Sequence, residues 1–342
     1  SLKETPHSAA QQIIPKNYYS IDLISNHPSV IEQVHPISAG SAIIGFDYSG
    51  GISIPVVEIY DEIVGSQRNI CSSSHDGEII LFDYHNEIYF LEALFLDEGN
   101  LFYLHCGDRE TDITSLIDPE QIPSFMAITD SNLVLGYDCE MLWFDLNGNY
   151  QSTVITPNII TDFFTMPDDS VMVLCQTAEE ARMFQVKAAD FENLIEIQLP
   201  NGANEYTFAS GYHSPYVLRV EQGGSVYLRK IPNGSEITVP NLEMPDTAYF
   251  HITQLNQCTA LYFDADEKDH FTTLAFIDCE SGNCTKLERA VWDDMDEQFV
   301  MLLNENTVAV PASTGTAEDE RYYVFVYAFN GNAPLSADSD LQ

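Results

Sequence analysis

Apolar residues run through this chain in short bursts, and turn-forming residues cut the bursts at regular intervals. Residues 122–158 divide into IPSFMAITDS, NLVLGYDCE, MLWFDLNGN and YQSTVITPN. Residues 159–202 repeat the plan as IITDFFTMPDDS, VMVLCQTAEE, ARMFQVKAADF and ENLIEIQLP. Val, Ile, Tyr, Phe and Thr fill the runs while Gly, Asn, Asp and Pro fill the joints, the composition of short strands joined by hairpins. Asn-Gly pairs at Asn147-Gly148, Asn201-Gly202, Asn233-Gly234 and Asn330-Gly331 supply residues that tolerate the positive φ of tight turns. Units of the same kind are expected over 203–245, 246–289 and 290–332, a period of about forty residues. Helical spacing is nearly absent. The best helical stretch, Thr177 to Phe191, falls where the repeat demands a loop and a strand.

Four strands per unit, repeated along the chain, predict an all-β fold, a β-propeller. Residues 28–121 carry SAIIGFDYSGG, IPVVEIYDE, EIILFDYHN, IYFLEALFLDEG and NLFYLHC. Two units there make seven four-stranded blades, with six or eight as the alternatives. Gly77 to Glu87 (GEIILFDYHNE) matches Glu140 to Tyr150 (EMLWFDLNGNY), so the two are expected to be equivalent third strands. The last unit ends at Asn332 one strand short, whereas Asn17 to Ser25 (NYYSIDLIS) is a strand without a unit. Tyr18 to Ile24 is therefore predicted to complete the last blade and close the ring, which removes an exposed sheet edge. The expected organisation is a polar leader or tether over residues 1–16, the propeller over 17–332 and a flexible tail over 333–342.

The strand rhythm of residues 17–332 resembles that of bacterial seven-bladed β-propellers of the broad YVTN and WD-like architecture. The resemblance is one of rhythm. Trp292-Asp293 opens a unit where a WD repeat would end a strand, and no Gly-His partner precedes it, so no functional residue is carried over.

Charge narrows the partners. Asp and Glu total 53 against 13 Lys and Arg, a formal net charge of −40. Ionised carboxylates cannot be buried unpaired, and the cations are too few to pair them, so most lie on a solvated surface. The resulting field repels phosphate backbones and anionic lipid, which excludes nucleic acid as an expected partner. A protein or glycan ligand, particularly a basic one, remains. No apolar run reaches the eighteen or so residues of a transmembrane helix. The chain begins on Ser1, and the expectation is a processed protein outside the cytoplasm, secreted or lipid-anchored as a lipoprotein at a bacterial cell surface. A monomer is expected.

Seven cysteines leave at least one thiol without an intrachain partner. Cys106, Cys139 and Cys175 each end an apolar run and read as small buried hydrophobes in inner strands. Cys279 and Cys284 flank a good hairpin loop and are the disulfide candidates. No C-x-x-C occurs. The acidic cluster Asp293, Asp294, Asp296 and Glu297 beside Trp292 is expected near the start of a blade's innermost strand, close to the axial channel. It is the candidate metal site. No cofactor is otherwise expected, and a bound cation such as calcium would sit in this cluster. Asp264 to Asp269 lacks the third oxygen and the glycine of a calcium loop. Ser74-His75-Asp76 reads as a polar turn, because neighbouring side chains on an extended chain diverge and cannot converge as a triad. His105, beside Cys106 in an apolar strand, reads as a core residue with a satisfied hydrogen bond.

No residue stands out as catalytic. The leading expectation is a non-catalytic binding scaffold that takes a protein or small ligand on one ring face, since propellers mount variable loops on a rigid ring. The alternative is a glycan hydrolase or lyase using carboxylates at the channel mouth.

Overall fold

A computed structural model describes residues 77–199 almost continuously, with Pro167, Ala178 and Ala189 excepted, together with the strands named below on either side and some of their adjoining turns. The described strands form seven sheets. The first holds Val30–Ile37, Gly40–Ser49, Ile52–Asp61 and Ser66–Ser72 in that order. The second holds Glu78–His85, Glu87–Leu96, Gly99–Cys106 and Arg109–Asp112. The third holds Phe125–Ile128, Asn132–Tyr137, Glu140–Asp145 and Tyr150–Ile155. The fourth holds Ile160–Thr165, Ser170–Gln176, Ala181–Lys187 and Asp190–Ile197. The fifth runs from Thr207–Phe208 through Tyr216–Val220 and Ser225–Lys230 to Glu236–Glu243. The sixth runs from Phe250–Gln254 through Cys258–Ala265 and Phe271–Asp278 to Cys284–Ala290, and Ser210–Gly211 adds a short parallel strand beside Phe250–Gln254.

The seventh sheet joins the two ends of the chain. Gln12–Ser20 pairs antiparallel with Arg321–Asn330, which pairs with Thr307–Thr314. Met295–Glu297 and Met301–Asn304 share the other edge of Thr307–Thr314. An N-terminal strand thus completes the last sheet, but it starts earlier than expected, inside the stretch read as a leader. Pro15 lies within this strand, which is an edge, next to a register shift between Pro15 and Asn17, and proline is tolerated at such places. Residues 1–11 and 331–342 lie outside the described residues.

First strands of successive sheets lie side by side. Phe125–Ile128 touches both Glu78–His85 and Ile160–Thr165, and Met301–Asn304 touches both Phe250–Gln254 and Val30–Ile37. The last of these contacts brings the seventh sheet against the first, so the sheets close into a ring. Glu78–His85 is a first strand and Glu140–Asp145 a third, so their likeness does not mark equivalent positions. Both are apolar strands ending in an Asp or His before a tight turn, and alternation alone does not encode rank within a sheet.

Strand alternation sends consecutive residues to opposite faces, and here both faces are buried. Tyr89, Leu91 and Ala93 pack toward the third sheet, with Leu133, Leu135, Leu142 and Phe144. Their neighbours Ile88 and Phe90 pack toward the first sheet, with Ile44 and Val57. The third sheet repeats the scheme: Val134, Met141 and Trp143 face Val171, Val173 and Phe184 of the fourth. This is why the runs read as continuously apolar. Gly136 marks a close approach between the third and fourth sheets. A Cβ there would lie 2.3 Å from the Phe163 ring. The described helical structure of residues 77–199 is one 3-10 turn, Thr114–Leu116. No helix among the described residues is long and apolar enough to cross a membrane.

Candidate binding surface

Antiparallel order divides the hairpins between two ends of the ring. In the second, third and fourth sheets the first and third hairpins lie at one end, here the lower. The second hairpin and the connection to the next sheet lie at the other, the upper.

Side chains tie the lower end together. Asp169, held at φ 62°, accepts hydrogen bonds from the Ser131 backbone N–H (3.1 Å) and from the Ser131 hydroxyl, linking the fourth sheet to the third. Arg109 donates to Asn149 Oδ1 at 2.9 Å, and His85 lies 3.6 Å from Asp130, both linking the second sheet to the third. Asp145 accepts from the backbone N–H groups of Asn147 and Asn149 and from the Asn149 amide, closing its own hairpin. Partial burial works to raise the carboxyl pKa of Asp145 and Asp169, but these hydrogen bonds prevail and hold both below the ordinary carboxylate value. Lys187 lies 3.9 Å from Asp168.

Backbone carbonyls tie the upper end. Ile160 donates its N–H to the Asp138 carbonyl at 2.6 Å, and Thr156 donates its own to that of Cys139 at 2.8 Å. Asn100 donates to the Pro119 carbonyl, Tyr137 OH reaches the Leu116 carbonyl, and Asn158 reaches Glu180 across to the fourth sheet. These bonds run without a break from the hairpin of the second sheet to that of the fourth. Main-chain carbonyls accept most of these bonds, and several large apolar side chains nearby point outward. Phe95, Leu96, Ile122, Ile155 and Ile159 are 41–58% exposed. Asp97 and Glu98, then Asp118 and Glu120, then Asp138, then Glu179 and Glu180 are exposed around them. In residues 77–199 the Lys and Arg side chains are Arg109, Arg182 and Lys187. Arg182 is the one at this end, and Glu196 grips it through two 3.0 Å hydrogen bonds.

The sequence-derived candidates scatter. Asp296 and Glu297 lie in the short edge strand Met295–Glu297 of the seventh sheet, whereas Asp293 and Asp294 lie outside the described residues, as do Ser74, His75 and Asp76. Among the described residues no group of three or more His, Cys, Asp or Glu side chains converges as a metal site. Cys284 is a free, half-buried thiol standing opposite Ile277 in the hairpin register, and Cys279 lies outside the described residues. Burial pushes the Cys284 thiol up to about 11 against the opposing pull of Lys286. Cys106 and Cys175 are buried strand thiols, each pushed by burial to about 11. Cys139 differs from expectation: it lies in a hairpin turn and is half-buried.

His105 is buried, stacked on Phe90 with ring centroids 4.1 Å apart, and its Nε2 lies 3.1 Å from Glu92. Glu110 comes within 3.9 Å of the same nitrogen. The His105–Glu92 pair is enclosed on the face of the second sheet that meets the first, so it does not front solvent. Sequence reasoning missed the upper end as a surface. Its residues come from separate repeats, and an exposed Ile or Phe looks like a core residue in a sequence.

No protein-family model matches the sequence, and no curated protein matches it. Solved structures do match. The chain is similar to PorZ, an essential bacterial surface component of the type-IX secretion system of Porphyromonas gingivalis (TM-score 0.50, 13% identity), over 90% of this chain and 38% of that one. It thus spans well under half of PorZ. It is similar along nearly its whole length to YCF48 bound to a D1 peptide (TM-score 0.53, 9% identity, 96% of both chains). A chain of the mitotic checkpoint complex matches likewise (TM-score 0.56, 9% identity, 96% of this chain and 95% of that). The fold is a β-propeller. At these identities the likeness concerns the propeller itself, and what the ring does must be argued from its surfaces.

Proposed function

We propose that this chain is a non-catalytic, seven-bladed propeller of the broad YVTN and WD-like architecture that works outside the cytoplasm, at a bacterial cell surface. It binds a protein or small ligand at one end of the ring. One observation carries the reading: apolar side chains from separate repeats stand exposed at the strand ends and connections of one end of the ring, which hydrogen bonds tie together. Exposed apolar residues gathered on one face mark an interaction site more often than residues scattered singly. Rigid loops lose little entropy on binding, which favours affinity. The likeness to PorZ and to YCF48 bound to a peptide supports this reading by fold.

The test is capture. The purified chain, immobilised, is expected to retain specific proteins from a cell-surface extract or specific members of a peptide array. A blank in both, together with turnover of a carbohydrate substrate, would replace this reading with the hydrolase or lyase one. Cell fractionation tests the location: recovery of the chain in the cytoplasm would remove that part.

A further inference from the structure

The upper end of the second, third and fourth sheets carries most of the strongly exposed large apolar side chains among the described residues. Phe95 and Leu96 lie at the second hairpin of the second sheet. Ile122 lies in the connection to the third, and Ile155 and Ile159 flank the connection to the fourth. Of the remainder, Tyr150 lies at the lower end, with its hydroxyl bonded to Thr153, and Ile195 lies on an outer strand. The supporting loops form one surface. Asn100 donates to the Pro119 carbonyl, Tyr137 reaches Leu116, and Asp138 and Cys139 bind the chain at residues 156–160.

Charge selects the occupant. Carboxylates surround these apolar groups, and Arg182, the local cation, is already held by Glu196. An acidic or neutral apolar partner would have to desolvate these carboxylates without compensation. A sugar would miss its usual platform: the exposed groups are mainly aliphatic, and Trp143 is fully buried. We infer that the upper end of these three sheets docks a cationic, amphipathic segment of a partner protein. Its apolar side chains seat on Phe95, Leu96, Ile122 and Ile159, and its Lys or Arg side chains meet the flanking carboxylates. This inference rests on the binding-module reading and adds to it an end and a chemistry.

Three short peptides serve as probes against the intact chain: alternating Lys and Leu, alternating Lys and Ser, and alternating Glu and Leu. The Lys-Leu peptide is expected to bind most tightly and to slow amide exchange at residues 95–98 and 156–160. The paired substitution Phe95→Ser and Ile159→Ser is expected to weaken the Lys-Leu peptide about tenfold, the scale of losing buried interface anchors. It should leave the weak Lys-Ser binding unchanged. The pair Asp97→Asn and Glu98→Gln is expected to weaken both cationic peptides, and salt to do the same. Circular dichroism of each variant checks that the ring is intact. Equal affinity for Lys-Ser and Lys-Leu, or protection at residues 108–110 and 130–131 of the lower end, overturns the inference and leaves the binding-module reading standing. Tightest binding of the Glu-Leu peptide, or saturable capture of a glycan at the upper end, overturns it too. No binding by any probe, together with a blank capture experiment, removes both.

Discussion

The two ends of this ring are built from the same repeats, yet different groups tie them together. At the lower end carboxylates turn inward to the chain: Asp169 receives Ser131 of the neighbouring sheet, and Asp145 receives Asn147 and Asn149. At the upper end the carbonyls of Leu116, Pro119, Asp138 and Cys139 accept most of the joining bonds, and the carboxylates of Asp97 and Glu98 are exposed. Loops that spend their side chains on their own structure have few left for a partner. Loops tied by backbone can present side chains without losing rigidity. Acidic composition alone therefore says little about where a ligand goes, because the same residue type stabilises one end and decorates the other.

The largest effect is expected midway between the ends. Trp143 is fully buried between the third and fourth sheets, with Phe191 at 5.0 Å. Trp143→Ala should cost about 3–5 kcal/mol in chemical denaturation and loosen both ends together. If one end alone lost exchange protection, the sheets would be less coupled than the shared core implies. Next, Asp169→Ala should cost about 1–3 kcal/mol, because Ser131 donors lose their acceptor and alanine disfavours the positive φ. Phe95→Ser at the upper end should change stability by no more than about 0.5 kcal/mol. Equal losses from the two variants would erase the contrast.

Acid offers a gentler probe. The carboxyls of Asp145 and Asp169 titrate below the ordinary value of 3.8 in the folded chain. Their stabilisation is then fully present above that value and is lost as pH falls through the lower folded pKa. Amide exchange should therefore rise at residues 130–131 and 146–149 before it rises at 156–160. The reverse order would contradict the assignment. The smallest effect is salt. With a net charge of −40, screening should raise the melting temperature by a few degrees, and a flat response would show that self-repulsion matters little.

Much of the ring was legible in the residues. The runs at 122–158 and 159–202 fall on the third and fourth sheets, and the surplus N-terminal strand meets the deficit in the last sheet. These features are periodic, so a short window reveals them. The strand begins at Gln12, earlier than its polar surroundings suggest, because edge pairing with Arg321–Asn330 is not visible in a local window. Rank within a sheet was misjudged at Glu78–His85 for a similar reason: alternation reports burial and is silent on which neighbour does the burying. Cys139 followed its apolar run in sequence but turned the corner in space. The binding end was illegible. Phe95 and Ile159 belong to different repeats, and their exposure is a property of the closed ring.

The amino-acid order alone determined that this chain makes short strands in repeated fours, that its surface is strongly anionic, and that its last unit needs a strand from elsewhere. These follow from side-chain period, composition and counting, which are local or additive properties. Only the tertiary structure decided which end of the ring is tied mainly through carboxylates and which mainly through main-chain carbonyls. That choice depends on which loops meet across neighbouring sheets, and a hydrogen bond between Ser131 and Asp169, or between Ile160 and Asp138, exists only once the sheets have packed.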